Sequence, residues 1–194
     1  MAEFQIADKI TRRNEGGWQN DPADTGNDKQ GNGTYKGLAS TKQPRWKGWP
    51  IIAAAIAELP PQPRYWSKSY HAWVERLEAA LGANEELQTL VDEYYKANFW
   101  DVNRLTDLRS QEAANHVYDH GVNRGVGTAA ILLQRVLGVK LDGNIGPVTL
   151  ATANKLPDLK LAEMYREARK ADYRHLVEKN PKLARYEGTW LKRC

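Results

Sequence analysis

The sequence predicts an all-α fold. Three observations carry the prediction. Apolar residues recur at three- and four-residue spacing through most of the chain, glycine, proline and asparagine punctuate those stretches where helices end, and no stretch alternates convincingly as a strand. With 194 residues, the chain can bury a sizeable core without metals or disulfides.

The elements follow in order. Phe4, Ala7 and Ile10 form one apolar stripe, stopped by Gly16 and Gly17. The polar stretch that follows is a loop, with a small hairpin around Gly33-Thr34-Tyr35 as its one candidate for β structure. Ile51 to Ala57 is a short apolar helix ended by Pro60-Pro61. Tyr70, Trp73, Val74, Leu77, Ala80 and Leu81 make an amphipathic stripe closed by Gly82. Asn84 caps the next helix, along which Leu87, Leu90, Val91 and Tyr94 recur. Ser110 caps a helix through Ala114, Val117, Tyr118 and Gly121, and Ala130, Ile131, Leu133 and Leu137 continue after the Gly125-Val126-Gly127 break. Pro147 leads a further helix, and a long one runs from about Asp158 to Glu178 before Asn180-Pro181.

Composition narrows the function. Seven Trp and nine Tyr stand against two Phe, a set suited to partly wet surfaces as well as to half-buried core. The net charge of +4 favours polyanionic partners. Nucleic acid is not expected among them, because no basic cluster is interleaved with aromatics and no DNA-binding motif is present. No run reaches the roughly 18 apolar residues of a membrane span. The single cysteine, Cys194, permits no intrachain disulfide. His116 and His120 stand four apart on one helix, but without an H-E-x-x-H glutamate or an evident third ligand no metal site is expected. The opening Met1-Ala2-Glu3-Phe4-Gln5 has no basic-then-apolar pattern, so no Sec-type signal peptide is expected and synthesis is expected in the cytoplasm.

Glu15 is the most informative residue. It lies in Asn14-Glu15-Gly16-Gly17-Trp18, at the end of the first helical stripe. A carboxylic acid beside a tryptophan is open to desolvation, which favours its neutral form. An acid of that kind protonates the leaving oxygen of a sugar. The competing reading is an exposed carboxylate before a glycine turn.

The surrounding residues carry a resemblance. The run Glu15-Gly16-Gly17-Trp18-Gln19-Asn20-Asp21-Pro22-Ala23-Asp24, followed by Gly33-Thr34-Tyr35-Lys36-Gly37, resembles the opening of glycoside hydrolase family 108, the bacterial and phage N-acetylmuramidases. That family runs E-G-G, an aromatic, N-D-P, then D-x-G-G-x-T-x-x-G. Eight residues separate Glu15 from Asp24, similar to the Glu-Asp-Thr arrangement of phage-type lysozymes. Here nine residues lie between Asp24 and Thr34, so the loop Gly26 to Gly33 is an expanded version of the family's. Downstream, Asp119-His120-Gly121-Val122-Asn123-Arg124-Gly125 resembles the family's accompanying D-x-x-V-N-x-G segment. Leu133-Gln134-Arg135-Val136-Leu137-Gly138 and Asp142-Gly143-Asn144-Ile145-Gly146-Pro147-Val148-Thr149 resemble predicted peptidoglycan-binding domains. Turn chemistry alone accounts equally well for Asp142 to Thr149. Glu187 to Arg193 is similar to the family's G-W-x-x-R ending.

The resemblance implies a lysozyme-like fold with a polar loop or small hairpin beside an active-site cleft. It implies a catalytic segment at residues 1–105 and a peptidoglycan-binding-like segment at 106–194, packed into the same globule. The implied activity cleaves the β-1,4 bond between N-acetylmuramic acid and N-acetylglucosamine. Glu15 would be the acid, Asp24 the second carboxylate or the holder of a water, and Thr34 that water's ligand. Trp18, Tyr35, Asp119 and Asn123 are the implied substrate contacts. No cofactor is implied. The partner is the peptidoglycan glycan strand, approached by a monomer after holin-dependent release or dedicated export. A lytic transglycosylase and a non-catalytic wall-binding or secretion-accessory protein are the alternatives.

Overall fold

The structure, a computed structural model, describes residues 1–14 (without the Asn14 side chain), 16–27 and 31–194. The fold is mostly α and lysozyme-like, as the sequence predicts. Among the described residues, the only sheet is three-stranded and antiparallel, in the order β1-β2-β3. The chain forms two compact units, one of residues 12–94 and one of residues 1–11 with 95–194.

The unit of residues 12–94 holds β1 (Trp18–Gln19), β2 (Thr34–Tyr35), β3 (Leu38–Ala39), α2 (Trp49–Ala57) and α3 (Lys68–Ala83), and ends within α4 (Glu85–Tyr95). The hairpin is the one anticipated around Gly33-Thr34-Tyr35. Strands β2 and β3 are joined by Lys36-Gly37 with φ of 45° and 80°, the doubly left-handed pair of a tight two-residue turn. Gly33 cannot be replaced cheaply: its φ is +69°, and a Cβ there would lie 2.3 Å from the Gln19 carbonyl oxygen. Helix α3 buries Tyr70, Trp73, Leu77 and Leu81, the core of the expected stripe. It runs through Gly82 and stops at Asn84, whose Oδ1 then accepts from Leu87 N at 2.8 Å to start α4.

The other unit contains α1 (Phe4–Thr11), α5 (Gln111–Arg124), α6 (Val126–Leu137), α7 (Pro147–Ala153), α8 (Asp158–Lys179) and α9 (Ala184–Lys192). Helix α1 corrects the expected stripe. It buries Phe4, Ala7, Asp8 and Thr11, and Ile10 is 44% exposed. The helix can turn a carboxylate inward because the Tyr118 hydroxyl donates to Asp8 Oδ1 at 2.7 Å. Phe4 packs edge-on against Trp100 and Tyr118, with centroids 5.9 and 5.7 Å away. Ala2 N donates to Leu108 O, and Gln111 exchanges two hydrogen bonds with the Glu3 backbone.

The N-cap of α5 falls where the sequence puts it. Ser110 Oγ accepts from Ala113 N at 3.1 Å. Gly138, at φ +67°, ends α6, and Val139 N reaches back to Gln134 O, a Schellman pattern.

Candidate active site

The two-residue period of the sheet sorts the loop residues into two sets. Neighbouring side chains on a strand point to opposite faces. The register pairs Trp18 with Tyr35 and Gln19 with Thr34. Trp18 and Tyr35 are 3% and 2% exposed, whereas Gln19 and Thr34 are half-buried.

On the Gln19–Thr34 side a hydrogen-bond chain runs without a gap. Thr34 Oγ1 donates to Asn27 Oδ1 at 2.9 Å, and Asn27 Nδ2 donates to Gln19 Oε1 at 3.1 Å. Gln19 Nε2 then donates to Asp24 Oδ2 at 2.7 Å. Asp24 Oδ1 accepts from Gly26 N at 2.7 Å, closing an Asx turn. The same Gln19 Oε1 also accepts from Asp21 N, and the same Asn27 Nδ2 also donates to the Asp21 carbonyl. Gly26 lies over the sheet, where a Cβ would come within 3.1 Å of Ala39 Cβ, and its carbonyl accepts from Thr41. Asp24 and Thr34 are thus brought into one network despite the expanded loop, because strand register fixes Thr34 opposite Gln19.

Glu15 lies outside the described residues, as do Asp28, Lys29 and Gln30 of the expanded loop. The chain just after Glu15 is held on both sides: Gly17 O accepts from Lys36 N, and Trp18 N donates to Glu78 Oε1 at 2.9 Å. Trp18 packs on Trp73 with centroids 5.5 Å apart, and its indole N–H donates to Asn32 O. The Tyr35 hydroxyl accepts from Gln88 Nε2, and burial raises its pKa. Both rings are core side chains that hold the hairpin on α3 and α4, a placement that favours support of the loop over contact with a sugar. Beside Asn32 an open basin of about 520 Å³ is lined by Arg45, Trp46, Lys47 and Trp49.

The Glycosyl hydrolase 108 family profile matches residues 9–125, more than half of the chain. This chain belongs to the glycosyl hydrolase 108 family. A second profile, the Predicted Peptidoglycan domain, matches residues 128–194. Together they make the protein a glycoside hydrolase of peptidoglycan. Among solved structures, that of Brucella abortus SagA is similar, with a TM-score of 0.62 and 24% identity over 98% of this chain and 88% of that one. The likeness is one of fold. No curated protein matches the chain.

Within this glycosyl hydrolase 108 chain, Asp119 and Asn123 sit in a buried polar cluster of the unit formed by residues 1–11 and 95–194. Asp119 is 5% exposed. Arg193 grips both its oxygens, at 2.8 and 3.1 Å, and Arg169 binds Oδ2 as well. Arg169 also donates to the Tyr173 hydroxyl, which donates to Asn123 Oδ1 at 2.8 Å. Burial pushes the Asp119 carboxyl up, but the two guanidiniums outweigh it and hold its pKa below 3.8. This placement favours a structural anchor over a substrate contact. It also explains the G-W-x-x-R ending, since Trp190 stacks on Tyr173 and Arg193 closes on Asp119.

Asp119→Ala removes the carboxylate that the buried Arg169 shares with Arg193 and is expected to cost about 3–5 kcal/mol of stability. Urea unfolding checks it; a wild-type midpoint with lost catalysis would return Asp119 to the substrate. The depressed pKa means that this contribution is present above 3.8 and is lost as pH falls through the lower folded value.

Of the pair four apart on α5, His120 shows the same inward use and His116 is half-buried. His120 is fully buried with Nδ1 2.8 Å from the Tyr165 hydroxyl, and burial lowers the His116 pKa to about 4. Among the described residues no group of three or more His, Cys, Asp or Glu is arranged to hold a metal.

In the peptidoglycan-domain segment, Gln134 fastens the Asp142 turn. Its Nε2 donates to Asp142 Oδ1 and Asn144 O, and its Oε1 accepts from Gly143 N. Gly143 is left-handed at φ +75°, Pro147 opens α7, and Ile145 and Thr149 are buried. Each of these residues has a structural task. Sequence reasoning assigned no role to Gln19, Asn27, Gln134, Arg169 or Arg193. The available signals were the Gln134 position in L-Q-x-x-L-G and the Arg193 position in G-W-x-x-R.

Proposed function

We propose that this chain is an N-acetylmuramidase that hydrolyses the β-1,4 bond between N-acetylmuramic acid and N-acetylglucosamine. The observation that carries the reading is the hydrogen-bond chain joining Thr34 to Asp24, directly downstream of the E-G-G motif. Glu15 gives its proton to the leaving oxygen. Positive charge then grows on the sugar ring, and a water attacks its anomeric carbon. Thr34 spends its hydrogen on Asn27, so its lone pairs are left to accept from that water. Asp24 keeps lone pairs beyond those used by Gly26 and Gln19 and takes the water's proton. The basin at Trp46 and Trp49, with Arg45 and Lys47 at its edge, suits a glycan that bears carboxylated peptides. The proposed place of action is the cell wall, reached by holin-dependent release or dedicated export.

Mass spectrometry of fragments from treated peptidoglycan tests the reading. Reducing N-acetylmuramic acid ends are expected. Ends of the 1,6-anhydro type would make the enzyme a transglycosylase, and an undigested wall would leave a binding protein. Asp24→Asn sharpens the test, because asparagine keeps the Oδ1 that caps the turn yet cannot take a proton. Turnover is expected to fall by about 100-fold, the lower range for a lost proton-transfer group, with cooperative melting retained although the new amide nitrogen no longer accepts from Gln19 Nε2. Wild-type turnover in this variant would reduce Asp24 to a turn residue.

A further inference from the structure

Trp66 is the largest side chain in this protein left mostly in solvent, at 69% exposure. Its backbone is left-handed, with φ of 60°, a conformation that bulky residues rarely adopt. Such outliers persist only where the surroundings hold them, and they cluster at functional sites. Trp66 immediately precedes Ser67, the N-cap of α3, whose Oγ accepts from Tyr70 N. Its ring rests on His71, with centroids 5.2 Å apart at 54°, and meets Tyr65 edge-on at 5.3 Å. The contact with His71 is a staple of the kind that fixes a helix start. A staple needs no left-handed residue, and it leaves most of this indole uncovered.

The same cluster reaches the candidate site. Burial raises the Tyr65 pKa, and the Asp21 carboxylate beside its hydroxyl raises it further. The Tyr70 hydroxyl meets the Asn20 backbone. Asp21 N in turn donates to Gln19 Oε1, and Gln19 holds Asp24. A continuous set of contacts therefore runs from the exposed indole through Tyr65, Asp21 and Gln19 to Asp24, all within residues 12–94.

We propose that Trp66 is a carbohydrate platform: its open face stacks on a pyranose ring of the glycan strand and holds that strand beside the Asn20–Asp24 loop. The inference rests on the glycan-cleaving reading above. An indole offers a flat apolar surface that matches the C–H face of a pyranose, and its fixed ring loses little freedom on binding. Trp66 touches no reacting atom, so it acts on affinity.

The test uses the full chain with soluble, peptide-free glycan oligosaccharides. Trp66→Ala is expected to raise KM about tenfold, the loss of roughly one aromatic contact, with kcat within about twofold of wild type. Trp66→Phe, which keeps a ring, is expected to retain most of the affinity. Oligosaccharide should also quench tryptophan fluorescence in the wild type and lose that quench in Trp66→Ala. Unchanged KM and unchanged quench in Trp66→Ala would overturn the platform. If the wild type cleaves no glycan, the hydrolase reading fails, and the fluorescence titration alone decides the platform: a Trp66-dependent quench upholds it, and no quench ends it.

Discussion

Glu15→Gln is expected to lower wall-cleaving activity by about 100- to 10,000-fold, the usual contribution of a positioned general acid. The amide keeps the size and polarity of the side chain and removes only its transferable proton. The fold is expected to stand, because the chain around this position is anchored by others. Trp18 is buried against Trp73, Trp18 N is held by Glu78, and Gly17 O by Lys36 N. Turbidity clearance by purified variant and wild type, read beside their melting curves, checks both halves of the expectation. Clearance at the wild-type rate would remove Glu15 from the chemistry. Loss of activity together with loss of cooperative melting would make its role structural.

A chain ending near Arg109 is expected to be insoluble or molten, although it retains Glu15, Asp24 and Thr34. Helix α1 belongs to the same compact unit as residues 95–194. Its buried face has its partners on α5: Phe4 loses Tyr118, Asp8 loses the Tyr118 hydroxyl, and Glu3 loses Gln111. Trp100, Leu105 and Leu108, all fully buried in the intact chain, lose the α5 side of their enclosure. A large apolar side chain contributes about 1.5–3 kcal/mol when buried. Several such losses match the whole net stability of a domain, about 5–15 kcal/mol. Dye binding with retained far-UV and lost near-UV circular dichroism would report the molten outcome. A soluble fragment that melts cooperatively and cleaves wall would instead make the C-terminal half an independent binding module.

The helices were legible because their signals are local. Apolar spacing marked α3, α4, α5 and α6, and Asn84, Ser110, Gly125 and Pro147 cap or open helices where sequence logic puts them. The hairpin at Gly33-Thr34-Tyr35 was visible from glycine chemistry, and the short helix at α9 was not, since its main anchors are distant: Trp190 on Tyr173 and Arg193 on Asp119. The candidate site was legible as a set of residues, through the likeness of E-G-G-W-x-N-D-P to a known family, but not as an arrangement.

The sequence by itself determined the all-α class, the order of the helices and the segment that carries Glu15, Asp24 and Thr34. Only the tertiary structure decided which side chains face inward. Trp18 and Gln19 are adjacent in the chain, yet strand pairing turns Trp18 into the core and Gln19 toward Asp24. Nothing local marks Asp8 or Asp119 as buried; partners 110, 50 and 74 positions away, Tyr118, Arg169 and Arg193, make their burial tolerable. The physical reason is range. Helix periodicity and capping act over a turn or two of chain. The burial of a polar group depends on a hydrogen-bond or charge partner, and nothing in local sequence says where along the chain that partner lies.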